Sequence, residues 1–412
     1  MLPSEIYCSS VGRYEDLKVV AFGGGTGLPV LLRGLRERVG DLTAVVTVAD
    51  DGGSSGRLRQ ELGVAPPGDV RNCLVALAAR EKLAEVFDYR FEGEGDLWGH
   101  SVGNIIIAAL ADMAGGFCEG VEQAGHFLRV KGRVYPAATE SLTLVVRYAD
   151  GTVIRGESVV REVGKTISRV EIEPTDAVAP PGVISAIEAA DVVVLSPGSL
   201  FTSLIPALLA GGVQEALASF TGPVVYAANA MTQPGETTGF AVSDHLRALE
   251  RHVGPVVTDV LVHAGALGPG VITRYRAEGA SPVEVDREAI EMMGVKMCEA
   301  DLLSERAEAE VRHDPDQLAE DGPGLVLEDG VVEAHLGEDG GHPVGALGVG
   351  DPPCAATGDA QGGPGEGGDA PDELLFAVHK LEVVPAAAAR PGHRARALKS
   401  SPEVGRPVGG GA

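Results

Sequence analysis

The 412-residue chain is 44% hydrophobic and carries 33 basic against 59 acidic side chains, a formal net charge of −26. That length holds one large α/β domain or two modest ones, with ample apolar content for a core. So acidic a chain argues against a protein that coats nucleic acid or an anionic membrane, and an anionic ligand has to be met by local positive groups.

Residues 1–17 read as a loose N-terminal arm. The run Val19, Val20, Ala21, Phe22 then suits a strand buried on both faces of a parallel sheet. Leu28, Leu31, Leu32 and Leu35 recur at i, i+3, i+4 and i+7, which predicts a helix with Pro29 in its first turn. Between strand and helix lie Gly23, Gly24, Gly25, Thr26 and Gly27, small enough for backbone N–H groups to approach an anion at the positive end of the helix dipole. The plainer alternative is a tight turn without a ligand. No Gly-Lys-Ser/Thr follows, so this is not a Walker A loop. Leu28 stands where a strict dinucleotide fingerprint needs its third glycine, which leaves a nucleotide or sugar-nucleotide diphosphate as the leading ligand.

Residues 42–49 form a second apolar run, ending in D-D-G-G-S-S-G-R-L-R. Asp50 and Asp51 fall about 20 positions beyond the glycine loop, where a carboxylate can bind a ribose diol. A divalent cation held by Asp50 and Asp51 is the competing role. Ser54, Ser55 and Gly56 offer small donors and Arg57 a fork suited to phosphate, or together they make an Asp-Gly turn with a solvated arginine. A helix follows, with Asp69 placed as its N-cap and Arg71 and Asn72 in its first turn, where a cation is unfavourable unless an anion lies nearby. In G-H-S-V-G-N, His100 or Ser101 opens a further helix with Asn104 just inside; His100 can serve a ligand or be structural.

A β-rich insertion at about 139–174 is implied by alternation over 141–148, the Asp150-Gly151 turn, a return over 152–160 and a strand at 168–173. A helix at 183–190 and a strand at 191–195 lead into S-P-G-S-L-F-T-S, where Ser199, Thr202 and Ser203 can reach phosphate from a second side. The strand at 223–228 opens into a polar loop in which Asn229, Thr232, Gln233 and Glu236 can read a base or sugar edge. Ser243 and Asp244 start the next helix, and 256–262 is another strand. Tyr275 lies between two arginines, and Arg312 and His313 precede a short helix ending near Glu320; an aromatic face and an arginine can bracket a pyrimidine.

Residues 321–412 become rich in Gly, Pro, Ala and acid and read as a mostly disordered tail, with 373–384 as a short docking segment. Taken together the pattern is α/β, a Rossmann-like doubly wound, mostly parallel sheet over residues 18–320. The cysteines Cys8, Cys73, Cys118, Cys298 and Cys354 are odd in number and lack C-x-x-C pairs, suiting a reducing cytosol and no zinc site. With no signal-like start and no run of about 18 apolar residues, a cytoplasmic protein without a membrane span is expected.

The blocks G-G-G-T-G-L, T-V-A-D-D-G-G-S-S-G-R-L-R, P-P-G-D-V-R-N-C-L-V-A-L-A, G-H-S-V-G-N, S-P-G-S-L-F-T-S-L-I-P and N-A-M-T-Q-P-G-E-T, in this order over about residues 17–320, resemble the bacterial gluconeogenesis factor family. These are the YvcK-type UDP-N-acetylglucosamine-binding proteins, similar in turn to 2-phospho-L-lactate transferase, the CofD enzyme. The resemblance implies a cytoplasmic UDP-N-acetylglucosamine-binding regulator of cell shape and wall precursor supply during gluconeogenic growth. It places the diphosphate on Gly23–Gly27, Ser55, Gly56 and Arg57, sugars on Asp50, Asn229 and Thr232, and the uridine end on Tyr275 and Arg312. Ser199 and Asn104 complete the candidate set. Binding needs no cofactor on this reading; Mg²⁺ enters only under the alternative, a 2-phospho-L-lactate transferase-like enzyme. A homo-oligomer and a Ser/Thr kinase acting on the chain are further expected partners.

Overall fold

The computed structural model describes residues 14–95, 97–303 and 311–321. The expected tail, including 373–384, and all but the end of the N-terminal arm lie outside these residues. Strand β1, Tyr14–Gly23, is an inner strand of a seven-stranded parallel sheet. The other strands are β2 (Val39–Val46), β3 (Arg133–Pro136), β7 (Val192–Leu195), β8 (Val224–Ala227), β9 (Asp259–His263) and β10 (Lys296–Ala300), in the order β3-β2-β1-β7-β8-β9-β10. Val19 to Phe22 pair with β2 on one side and β7 on the other and are fully buried, the outcome their unbroken apolar run dictates. The chain winds outward from β1 in one direction and then, from β7, in the other. The crevice between β1 and β7 is therefore the switch point where doubly wound sheets bind ligands.

Helix Gly27–Leu35 buries Leu28, Leu31, Leu32 and Leu35 on the sheet. Burial of each such side chain is worth roughly 1.5–3 kcal/mol, which fixes the helix start against β1. A Cβ at Gly34 of this helix would overlap the Pro315 carbonyl oxygen, and Arg38 pairs with Asp316 at 2.9 Å, so the closing helix Pro315–Asp321 packs directly on it.

The β-rich insertion is a three-stranded antiparallel sheet of β4 (Thr143–Tyr148), β5 (Val153–Arg155) and β6 (Ile167–Glu173), in the order β5-β4-β6. It docks through His252 on helix Val242–Val253: His252 Nδ1 lies 2.6 Å from the Ala248 carbonyl oxygen, and Nε2 accepts the Val170 N–H at 3.0 Å. The return strand is shorter than its alternation suggested, because the chain leaves β4 after Arg155 and turns toward the main sheet.

Local details go beyond or differ from the sequence pattern. β2 stops at Val46 rather than continuing to Ala49, since its neighbour β1 turns away at Gly23 and the last bond of the ladder is Thr47 N–H to the Gly23 carbonyl. The Ser-Gly-Arg stretch is the helix Gly53–Leu62, with Ser54, Ser55, Gly56 and Leu58 buried. Tyr275 sits on helix Pro269–Ala277. Among the described residues no helix is long and apolar enough to cross a membrane.

Candidate functional site

The glycine loop joins β1 to helix Gly27–Leu35, whose N-cap, Thr26, makes no side-chain cap. The first-turn amides therefore lack the side-chain acceptor that usually fills them, and they carry the positive end of the helix dipole. Gly25 has φ +59°, a left-handed backbone that glycine adopts without strain. Gly27 answers a different demand, because a Cβ there would overlap the Pro197 carbonyl oxygen of the loop after β7. The two loops thus meet across the switch point.

Asp69 is the first departure from the sequence reading. Helix Gly68–Leu77 starts two residues earlier, with Pro67 at its N-cap and no side-chain cap, and the Asp69 carboxylate accepts the Gly25 N–H at 2.8 Å instead. Burial, opposed by that bond and reinforced by the charge of Asp50, raises the Asp69 pKa from 3.8 to about 6. Arg71 also turns inward: it is 2% exposed, and the anion its position called for is the Asp88 carboxylate.

The loop after β7 contains Ser199, whose backbone carbonyl accepts the Ser203 and Leu204 N–H groups at 3.1 and 3.0 Å at the start of the π-helical turn Leu200–Leu204. Asn229, at the end of β8, accepts the Gly198 N–H and donates to the Gly198 carbonyl, both at 2.7 Å. Its amide is spent on joining the two loops. Gln233 Nε2 donates to Ser199 Oγ at 3.0 Å, and Thr232 Oγ1 accepts the Ser281 N–H at 2.9 Å. Tyr275 Oη accepts the Val311 N–H at 2.9 Å, with the Arg274 guanidinium 5.6 Å from the ring centre. These elements line a cavity of about 580 Å³ whose walls include Thr26, Gly27, Gly198, Asn229, Thr232, Gln233, Tyr275, Arg312 and His313. The structure therefore brings together the glycine-loop, Asn229 and Tyr275–Arg312 groups that the sequence singled out.

The remaining candidates lie on the β2 side of the glycine loop. Asp50 Oδ1 accepts the Gly52 N–H at 2.8 Å, whereas Asp51 Oδ1 accepts the Ser158 N–H of the insertion at 2.9 Å, so the two carboxylates serve different elements. Among the described residues no three His, Cys, Asp or Glu side chains are placed to hold a metal ion. Ser55 Oγ accepts the Gly68 N–H at 3.2 Å, Gly56 packs on the Asp51 backbone, and Arg57 donates to the Trp98 carbonyl at 2.6 Å. Asn104 is fully buried and donates through Nδ2 to Ser54 Oγ at 3.1 Å, while that hydroxyl lies 2.9 Å from His100 Nδ1. Burial, then the nearby Arg57 charge, lowers the His100 pKa and keeps the ring neutral.

Glu157 has no sequence signal. The Asp51 contact with Ser158 carries it toward Asp50, Asp69 and Glu236, and burial, reinforced by those three charges, raises its pKa from 4.5 to about 8. The cavity thus reaches the glycine loop at Thr26 and Gly27, and the acidic cluster reaches it at Gly25 through Asp69.

A family model described as 2-phospho-L-lactate transferase CofD matches residues 19–303. A relative from Halalkalibacterium halodurans named gluconeogenesis factor is 45% identical over 304 residues, covering 73% of this chain and 94% of its own. The gluconeogenesis factor of Bacillus subtilis is 42% identical over 304 residues, covering 73% of this chain and 96% of its own. A crystal structure of a UPF0052-family protein from Bacillus halodurans, 43% identical, superposes with a TM-score of 0.72 over 76% of this chain and 99% of that one.

Proposed function

The chain belongs to the gluconeogenesis factor family, built on a CofD domain, and from that premise we propose that it is a cytoplasmic regulator that binds UDP-N-acetylglucosamine and couples its level to cell shape and wall precursor supply during gluconeogenic growth. One observation carries the binding reading: a 580 Å³ cavity runs from the uncapped helix start at Gly27 to the Tyr275 ring. That volume falls within the roughly 300–1,000 Å³ of small-molecule sites, at the place where doubly wound sheets hold nucleotides. The amides at Thr26 and Gly27 suit the diphosphate, and the Tyr275 end suits the uridine.

Magnitudes divide the work between the two ends. Charge-assisted bonds to a diphosphate, at about 1.5–3 kcal/mol each, are comparable to an association cost of about 4–15 kcal/mol. Contacts from Thr232, Tyr275 and Arg312 then decide which nucleotide is retained.

Calorimetry of the full chain tests the reading. Saturable heat with UDP-N-acetylglucosamine, and weaker binding of ADP- and GDP-linked sugars, is expected. A folded protein that gives no heat at millimolar UDP-N-acetylglucosamine rules it out.

A second reading, a transferase like 2-phospho-L-lactate transferase, is favoured by the raised pKa values of Asp69 and Glu157 in the acidic cluster. Such groups suit proton transfer near neutral pH. Turnover of a nucleotide-diphospholactate with an acceptor would establish it.

A further inference from the structure

The outward face of the three-stranded insertion carries a charge opposite in sign to that of the whole chain. Register sets Arg147 of β4 directly across from Arg169 of β6, and Arg155 of β5 directly across from Val145 of β4. Directly opposed residues share one face of an antiparallel sheet, and like charges placed so are unfavourable. The other face holds Leu144, Val146, Val170 and Ile172, all buried in the core, so the arginines look outward. Their side chains are 49% exposed at Arg147, 62% at Arg155 and 56% at Arg169, open to a partner.

The acids that meet these cations are too few. Glu171 serves both Arg147, at 3.0 Å, and Arg169, at 3.8 Å, while Glu173 serves Arg155 at 3.1 Å. Arg251 of helix Val242–Val253 joins the same edge, donating to the uncharged Ser168 carbonyl at 3.1 Å. The groups sense one another. Glu171 holds the Arg147 pKa up while the charge of Arg155 works against it. Burial lowers the His252 pKa against the Ala248 bond, and the charges of Arg169 and Arg251 lower it further. Beside β5 the face opens into a hollow of about 180 Å³ whose walls include Asp51, Arg59, Thr143 and Arg155. Arg59, on helix Gly53–Leu62, reaches it by donating to Thr143 Oγ1 at 2.6 Å.

A cationic face on a chain of net charge −26 selects its partner by sign. Carboxylates match guanidinium forks, two N–H groups to two oxygens. Nucleic acid fits worse, because its dense phosphate charge must approach the acidic chain as a whole. A second copy docked face to face would set arginine on arginine. We propose that this face docks an extended acidic segment of a partner protein, its carboxylates on Arg147, Arg155 and Arg169 and one of them seated in the hollow at Arg59. The assignment stands on register and charge, so it holds whether or not the switch-point cavity binds a UDP-sugar.

The test is fluorescence anisotropy of the full chain with a labelled peptide of about eight residues, the length of a strand, alternating glutamate and serine. A glutamine–serine peptide and an oligothymidylate of equal charge serve as comparisons. The acidic peptide is expected to bind saturably, and more weakly as salt rises from about 0.15 to 0.5 M. The uncharged peptide should not saturate. Arg147→Gln, Arg155→Gln and Arg169→Gln should each weaken binding about two- to fivefold, and Arg147→Gln with Arg169→Gln about tenfold. Lys82→Gln, at an exposed cation on helix Glu81–Asp88, should leave it unchanged, which separates this face from general attraction to any surface cation.

A folded protein that does not bind the acidic peptide overturns the assignment, as does equal binding of the uncharged one. Arginine variants that melt like wild type and keep its affinity overturn it too, and so does a loss at Lys82→Gln as large as theirs. An oligothymidylate held as tightly as the acidic peptide would make the occupant a nucleic acid. Self-association of the peptide-free chain in sedimentation, abolished by the same substitutions, would make it a second copy; either result overturns the proposal. Should one arginine variant fail to fold, the other two decide by the same criteria.

Discussion

The Asp69 carboxylate accepts the Gly25 N–H at 2.8 Å, so the protein's own anion already occupies one amide of the loop that faces the ligand. An incoming diphosphate meets that charge when Asp69 is ionised. With a pKa near 6, ionisation is nearly complete at pH 8 and largely suppressed at pH 5. Asp69→Asn keeps an acceptor for Gly25 and removes the charge. It should bind UDP-N-acetylglucosamine about fivefold more tightly than wild type at pH 8, corresponding to ~1 kcal/mol of repulsion in a partly solvated site. The advantage should vanish at pH 5, where wild type is also neutral. Titration calorimetry at the two pH values checks both the sign and its disappearance.

Glu157 gives a stability prediction of definite sign. Its folded pKa, about 8, lies above the ordinary 4.5, so the native state holds a proton that the unfolded chain releases between those values. Its favourable contribution is full below pH 4.5 and is lost as pH rises through 8. Glu157→Gln should therefore melt above wild type at pH 8.5 and with it at pH 4.5. A difference that grows toward low pH would reverse the assigned burial.

Gly25 and Gly27 should separate in their tolerance of a methyl group. Gly25→Ala meets only the Ser203 hydroxyl, at an ordinary contact distance of 3.7 Å, so its cost is that of the left-handed backbone, about 1–2 kcal/mol. Gly27→Ala drives a Cβ into the Pro197 carbonyl, which is backbone and cannot move aside alone. Thermal unfolding should show a modest shift for the first. The second should show a much larger one, with loss of ligand binding.

Asn229→Ala removes both bonds to Gly198. At about 1 kcal/mol each, denaturant unfolding should register a loss near 2 kcal/mol. UDP-N-acetylglucosamine affinity should fall as well, because the loop after β7 loses its brace against the end of β8. An Asn229→Ala protein with unchanged affinity would mean that the brace does not shape the pocket.

How far the sequence foretold the site depends on whether a residue's neighbours are local. β1 and helix Gly27–Leu35 were legible because strand burial and helical spacing both leave a periodic trace, and the parallel order follows from strands alternating with helices. The insertion was legible from alternation and an Asp-Gly turn. Asp69 was misread because an acid at a helix start looks the same whether it caps its own helix or a glycine loop 44 residues away. Asp50 and Asp51 read as a pair because they are adjacent, yet neighbours in an extended stretch face different elements, and the structure joins them to Gly52 and Ser158. Glu157 left no trace, since only the docking of the insertion carries it to the acidic cluster. His313 stood beside Arg312 in a quoted motif, but its burial, which pushes its pKa down to about 4, is a property that composition and spacing do not encode.

The most direct test of the account is a crystal structure of the full chain grown with UDP-N-acetylglucosamine. The account places the diphosphate against the amides of Thr26 and Gly27 and the uridine between Tyr275 and His313. Ligand density outside this cavity, with the glycine loop closed against Pro197 and Gly198, would contradict it.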